Sequence, residues 1–173
     1  MTTLPDGGPA YYGKYRGKVE NPIDPQGLAR VQVSCPSVLG DNSLAWAMPC
    51  LPGAGPSVGL HVIPPVGAKI LVEFEGGNPD YPIWAGGWWD LGDAPAPPGP
   101  TAFLTKAWKG DNFSLEIMDI PGAPTLALEL TTAMGPAKIE ADATGLTITH
   151  GASTVKLAID GVSINGANLK VLP

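Results

Sequence analysis

Between residues 66 and 89, Ile70, Val72 and Phe74 alternate with Lys69, Leu71, Glu73 and Glu75. This period of two predicts a half-buried strand rather than a helix. Gly76, Gly77, Asn78, Pro79 and Asp80 supply a turn, and Tyr81, Ile83, Trp84, Trp88 and Trp89 return as a second strand, with Gly86 and Gly87 marking a bulge or a close backbone approach. Upstream, Leu28, Arg30 and Gln32 alternate with Ala29, Val31 and Val33 until Pro36 ends the run, and a further strand starts at Leu44 in LAWAMPC. The segment YYGKYRGKVE from Tyr11 reads as a first strand bent at Gly13 and Gly17, preceded by a mobile tail to Pro9. NPIDPQG is a turn, SVLGDNS a loop, and LPGAGPSVGLHVIPPVG a long connection. Five bent strands, three in meander and two after a long crossing, are the expected content of a small closed barrel.

Beyond Trp89 the pattern changes. LGDAPAPPGP holds four prolines and reads as an extended linker. A ladder of short strands follows: FLTKAWK, NFSLEIMD, TLALELT, AKIEA, GLTIT, STVKLAI, GVSIN and NLKVL. Alternation puts Leu126, Leu128 and Leu130 on one face, and likewise Leu146 with Ile148, Val155 with Leu157 and Ile159, Val162 with Ile164, and Leu169 with Val171. TGLTI at Thr144 is echoed by DGVSI at Asp160, a spacing of 16 residues. One chain of such strands encloses no core and leaves its edges open, which three chains about a common axis would cure.

Composition narrows the class. With 23 glycines and 20 prolines in 173 residues, the longest runs free of both are ten residues, so ordinary helices have no room and the fold is all-β. A net charge of −6, with no cluster of Lys or Arg, argues against nucleic acid as a partner. Trp46, Trp84, Trp88 and Trp89 are therefore expected as core or interface aromatics rather than base-stacking platforms. The start of the chain shows no secretory signal, and no apolar run approaches the roughly 20 residues of a membrane span, so a soluble chain is expected. Cys35 and Cys50 fall at opposite ends of the expected hairpin and are expected as two small buried hydrophobes without a bridge. His61 and His150 are far apart, no nucleophile motif or phosphate loop occurs, and Glu73, Glu75, Asp80, Glu140 and Asp142 read as solvated strand and turn positions. No enzymatic activity and no cofactor are expected.

Several ordered motifs carry a resemblance: GKYRGKV from Gly13, DPQGLARVQV from Asp24, Trp46 with Met48 and Pro49, Ala54 and Gly55, PPVG from Pro64 to Gly67, VEFE around Phe74, and NPDYPIWAG with Asn78, Pro79, Pro82 and Gly86. This series resembles the OB-fold domain of contractile-tail central spikes, the group of the phage baseplate assembly protein V, the T4-type spike and VgrG. The resemblance implies a homotrimer with a barrel at 11–92 that docks on a baseplate hub protein at the end of the tail tube, after a tail at 1–10. It further implies a linker at 93–100 and a short trimeric β-helix or β-prism needle at 101–173 with the apolar alternates inside. Such a spike is a virion structural protein of a phage tail baseplate or related injection particle, assembled in the bacterial cytoplasm, that punctures the target cell envelope. The lysozyme domain of some spikes has no counterpart, since only the linker stands in its place. Related short spikes carry an iron-binding His-X-His apex, but here His150 is followed by Gly151 and Ala152, so it is the only metal candidate and no metal is expected. A blunt end at 169–173 capped by a separate PAAR-like tip protein is expected instead. The alternative function is a stand-alone OB-fold module gripping an oligosaccharide or single-stranded nucleic acid; solution mass separates the two.

Overall fold

A computed structural model describes residues 3–96, 99–166 and 169–171. Positions 97, 98, 172 and 173, part of the expected linker and terminal end, lie outside the described residues, as does Asn168 of NLKVL. The chain divides into two units, Met1–Gly92 and Asp93–Pro173.

The first unit is a closed barrel of β1 (Tyr15–Asn21), β2 (Val31–Ser34), β3 (Leu44–Pro49), β6 (Lys69–Phe74) and β7 (Pro82–Gly87), in the order β1-β2-β3-β7-β6. Antiparallel ladders join every pair except β3 and β7, which run parallel from Met48 opposite Ile83, and β1 closes the ring against β6 from Tyr15 opposite Val72. Side chains facing inward are Val19, Val31, Val33, Ile70, Val72 and Phe74, all at most 5% exposed. Closure needs β1 to bend tightly over its neighbours, and Gly17 permits it: a Cβ there would stand 2.7 Å from Val72 Cγ2 and 2.9 Å from the Ser34 carbonyl oxygen. The β7 bulge falls opposite the Ile70 to Val72 step, next to Gly86 and Gly87.

Four details differ from expectation. The first strand begins at Tyr15 rather than Tyr11, because Gly13 turns left-handed (φ 93°) and the Tyr11 N–H bonds to Gly77 O instead of a ladder. Residues 3–9 fold back on themselves through a Thr3–Pro9 bridge. Pro36–Leu39 is one turn of helix, α1, with proline at its start where a missing N–H costs nothing. The long connection contains a two-residue hairpin, β4 (Ala54–Gly55) and β5 (Val58–Gly59).

The second unit is a single antiparallel meander of eight strands. They are β8 (Thr105–Lys109), β9 (Phe113–Met118), β10 (Thr125–Thr132), β11 (Gly135–Asp142), β12 (Gly145–His150), β13 (Ser153–Ala158), β14 (Gly161–Ile164) and β15 (Leu169–Val171). Gly145 opens β12 at φ 140°, where a Cβ would collide with the Leu157 carbonyl oxygen. The echoed TGLTI and DGVSI each place a glycine at the first position after a two-residue turn.

Candidate trimer face and barrel surface

Residues directly opposite in an antiparallel ladder share a face. The register therefore sorts the meander into rows that cross its strands. One row runs Trp108, Leu115, Leu128, Ile139, Ile148, Val155, Ile164 and Leu169. Beside it run Ile117, Leu126, Ala141, Leu146, Leu157, Val162 and Val171. On its other side lie Phe113, Leu130, Ala137, His150 and Ser153. The opposite face carries Thr and paired charges, such as Lys138 with Glu129 at 2.9 Å and Lys109 with Glu116 at 2.8 Å; the Glu129 carboxylate raises the Lys138 pKa.

The apolar face has no layer over it within the sheet. Ile148 is 44% exposed, Leu157 43% and Leu130 47%, values that belong to a surface rather than a core. Of the residues read as apolar alternates, Leu126, Leu128, Leu130, Leu146, Ile148, Val155, Leu157, Val162, Ile164, Leu169 and Val171 lie on this face. Ile159 does not: it sits in the two-residue turn between β13 and β14, fully exposed, because the β13 ladder ends at Ala158 opposite Gly161. The face also includes Trp108, Phe113, Leu115, Ile117 and Ile139, whose alternation in AWK, NFSLEIMD and AKIEA carried the same signal.

His150 shares this face, at its margin, exposed and opposite Ala137 and Ser153. With Leu128, Leu130, Ala137, Ile139 and Ile148 it borders a shallow depression of about 220 Å³. Among the described residues no three His, Cys, Asp or Glu side chains gather as metal ligands.

On the barrel, the motif residues hold turns in place. Asp24 is the hub of the β1–β2 connection: its carboxylate accepts N–H bonds from Gln26, Leu28 and Arg30 and pairs with the Arg30 guanidinium at 2.7 Å, with only 3% of its side chain exposed. Arg30 chiefly, then these backbone donors, hold its pKa far below the usual carboxylate range. Arg30 in turn lies over the half-buried Trp46 ring at 5.3 Å. Trp84 is buried and donates its indole N–H to Ala29 O at 3.2 Å, fixing a non-glycine residue at φ 59°. Pro49 sits opposite Trp84 in the parallel ladder. The Pro64 to Gly67 turn binds to β1 through Gly67 N–H on Val19 O, 2.8 Å, and Asn78 caps the turn before β7, accepting the Asp80 N–H on its side chain. Phe74 and Pro82 are buried opposite each other, Pro79 is half-buried, and Gly86 is exposed at φ 94°. Of the two cysteines, Cys35 is buried, but Cys50, just past the end of β3, is exposed.

The tryptophans divide. Trp84 is core, whereas Trp89 is 66% exposed. Trp88 lies under the Arg16 guanidinium at 4.4 Å and beside Lys69, and among the described residues its buried indole N–H has no acceptor. Arg16 is also the one barrel cation without a carboxylate partner among the described residues, since Lys14, Lys18, Arg30 and Lys69 pair with Glu73, Glu20, Asp24 and Asp90.

Two family models match this chain. The one described as the type VI secretion system/phage-baseplate injector OB domain covers residues 15–89, which is the barrel. The one described as the phage baseplate V C-terminal trimerisation domain covers residues 109–170, which is the meander. No curated protein matches the chain. No helix among the described residues is long and apolar enough to cross a membrane.

Proposed function

Since the chain belongs to the phage baseplate V family, a group with a structural, spike-type role, we propose that it is the central spike that caps the tube of a contractile injection machine and pierces the target envelope. The observation that supports this most is the uncovered apolar face in the trimerisation segment. Three copies packed about an axis would bury it and leave the paired charges and threonines outside. The result would be a shaft in which backbone groups are bonded across every internal ladder, a stiff element for transmitting an axial push. The trimer core would consist of the apolar alternates from Leu126 to Val171 other than Ile159.

The barrel would dock on the hub. Arg16, stacked on Trp88 and close to an indole donor that lacks an acceptor, is the barrel feature best suited to receive an acidic side chain. A separate tip protein would bind at the far edge of the sheet, along β15, whose outer edge has no strand partner among the described residues. The test has two arms. Light scattering of the full chain should give a trimer, and the barrel fused to an unrelated trimeric tag should capture the hub, with Arg16→Ala weakening capture about tenfold or more. A monomeric chain would defeat the spike reading, and a tagged barrel that ignores the hub would defeat the docking assignment.

A further inference from the structure

In a meander the turns alternate between the two lateral margins of the sheet. One margin carries the turns after β8, β10, β12 and β14, at 110–112, 133–134, 151–152 and from Asn165. The other carries those after β9, β11 and β13, at 119–124, 143–144 and 159–160. Each turn on one margin therefore lies level with a gap between two turns on the other.

Two of these turn tips carry large exposed apolar residues where turn chemistry favours Gly, Asn or Asp. Met134, on the first margin, is 83% exposed, and Ile159, on the second, is 100% exposed. Neither can reach the apolar face of its own sheet, because both lie beyond the last ladder pairs, Thr132 with Gly135 and Ala158 with Gly161.

Sheet dimensions fix how three copies can pack. Eight strands span about 34 Å across, whereas a six-residue strand is about 20 Å long. A triangular prism with sides of ~34 Å would leave its faces about 10 Å from the axis, too far to fill, since packed sheets lie about 10 Å apart and each fills about half of that. Sides of ~20 Å bring the faces to about 6 Å, so the axis runs across the strands and the turns form the corners. Threefold symmetry makes each corner heterologous: one margin of a copy meets the other margin of the next.

We propose that neighbouring copies interlock at these corners, with Ile159 of one copy seated in the notch between the 151–152 turn and the turn beginning at Asn165 of the next. Small residues, Gly151, Ala152 and Gly166, flank that notch, and its floor is pinned by Asn165, which donates its N–H to Thr154 O and accepts the Thr154 N–H on its side chain, both at 2.8 Å. Met134 enters the corresponding gap between 119–124 and 143–144. The inference rests on the trimeric spike reading and adds the register and the residues of the seam.

Disulfide trapping tests it in the full chain with the exposed Cys50 changed to Ser. Ala152→Cys combined with Ile159→Cys lies one strand spacing apart across the seam and is expected to give a covalent trimer on a non-reducing denaturing gel. Each single variant, and Met134→Cys combined with Ile159→Cys, about 14 Å apart along the axis, should give none. Ile159→Asp, a change that disturbs no packing within its own chain, should raise the trimer dissociation constant about tenfold or more. A trimer by light scattering that fails to cross-link at 152 and 159, or that is indifferent to Ile159→Asp, overturns the seam while leaving the trimer standing. A monomer overturns the spike reading itself.

Discussion

Ile148 lies in the middle row of the apolar face, between Ile139 and Val155, and is 44% exposed in the single chain. Complete burial of such a side chain is worth about 1.5–3 kcal/mol, so covering the remaining exposure contributes about 1 kcal/mol per copy and about 3 kcal/mol per trimer. Ile148→Ala removes that and leaves cavities whose cost adds to it, for a loss of roughly 3–9 kcal/mol per trimer. Ile148→Asp goes further, placing three carboxylates without partners in an apolar interior at several kcal/mol each. The control is one residue away. Thr149 faces the opposite, polar side, opposite Lys138, so Thr149→Asp adds the same charge beside a cation. Light scattering at micromolar concentration should show Ile148→Asp dissociated and Thr149→Asp trimeric, with thermal melting following the same order. If both variants remain trimeric, or if Thr149→Asp is the one that dissociates, the apolar face is not the interface and the reasoning from register fails.

Gly145→Ala should lower the melting temperature of the meander markedly, since φ 140° and the Leu157 carbonyl leave no room for a Cβ; an unchanged melt would contradict the turn geometry. Trp84→Phe removes the donor to Ala29 O and should destabilise the barrel by about 1–3 kcal/mol in urea unfolding of the isolated 1–92 unit. Asp24 has a folded pKa held below its unfolded value by Arg30 and backbone donors, so its stabilisation is present at neutral pH and fades as pH falls from about 4 toward the folded value. Asp24→Asn should therefore lower barrel stability at pH 7 and flatten its decline below pH 4; parallel acid limbs for the two proteins would refute this.

Period-two alternation was enough to find nearly every strand and to orient most of them. Ile70, Val72 and Phe74 point inward because a closed barrel has one apolar side per strand. The same alternation marked the meander's face from Leu126 to Ile164, and ordered motifs in the barrel half carried the family resemblance. Five features escaped for separate reasons. The turn at Pro36–Leu39 is too short for a helical period to register, and β4 with β5 is made of glycine, alanine and valine held by two backbone pairings. Ile159 continues the parity of Val155 and Leu157, yet parity carries no information about where a ladder stops, and Gly161 stops it. Cys50 is apolar by type but lies one residue past its strand. Arg16 above Trp88 was invisible because it depends on β1 lying beside the β6–β7 hairpin, a contact between segments some seventy residues apart.

The meander pairs only strands that are adjacent in sequence, whereas the barrel must bring β1 to β6 and β3 to β7 before it closes. These two halves face different kinetic problems. The barrel's search is long-range but unimolecular, so its rate is independent of how much protein is present. Each hairpin of the meander can form within microseconds, but a finished sheet still exposes its apolar rows until two more copies arrive. Maturation of this half is thus a concentration-dependent encounter, and at low expression the exposed rows are open to unrelated partners for longer. Yield of soluble trimer should rise more steeply than in proportion to chain concentration, and a tag that pre-associates three chains should rescue folding at low expression.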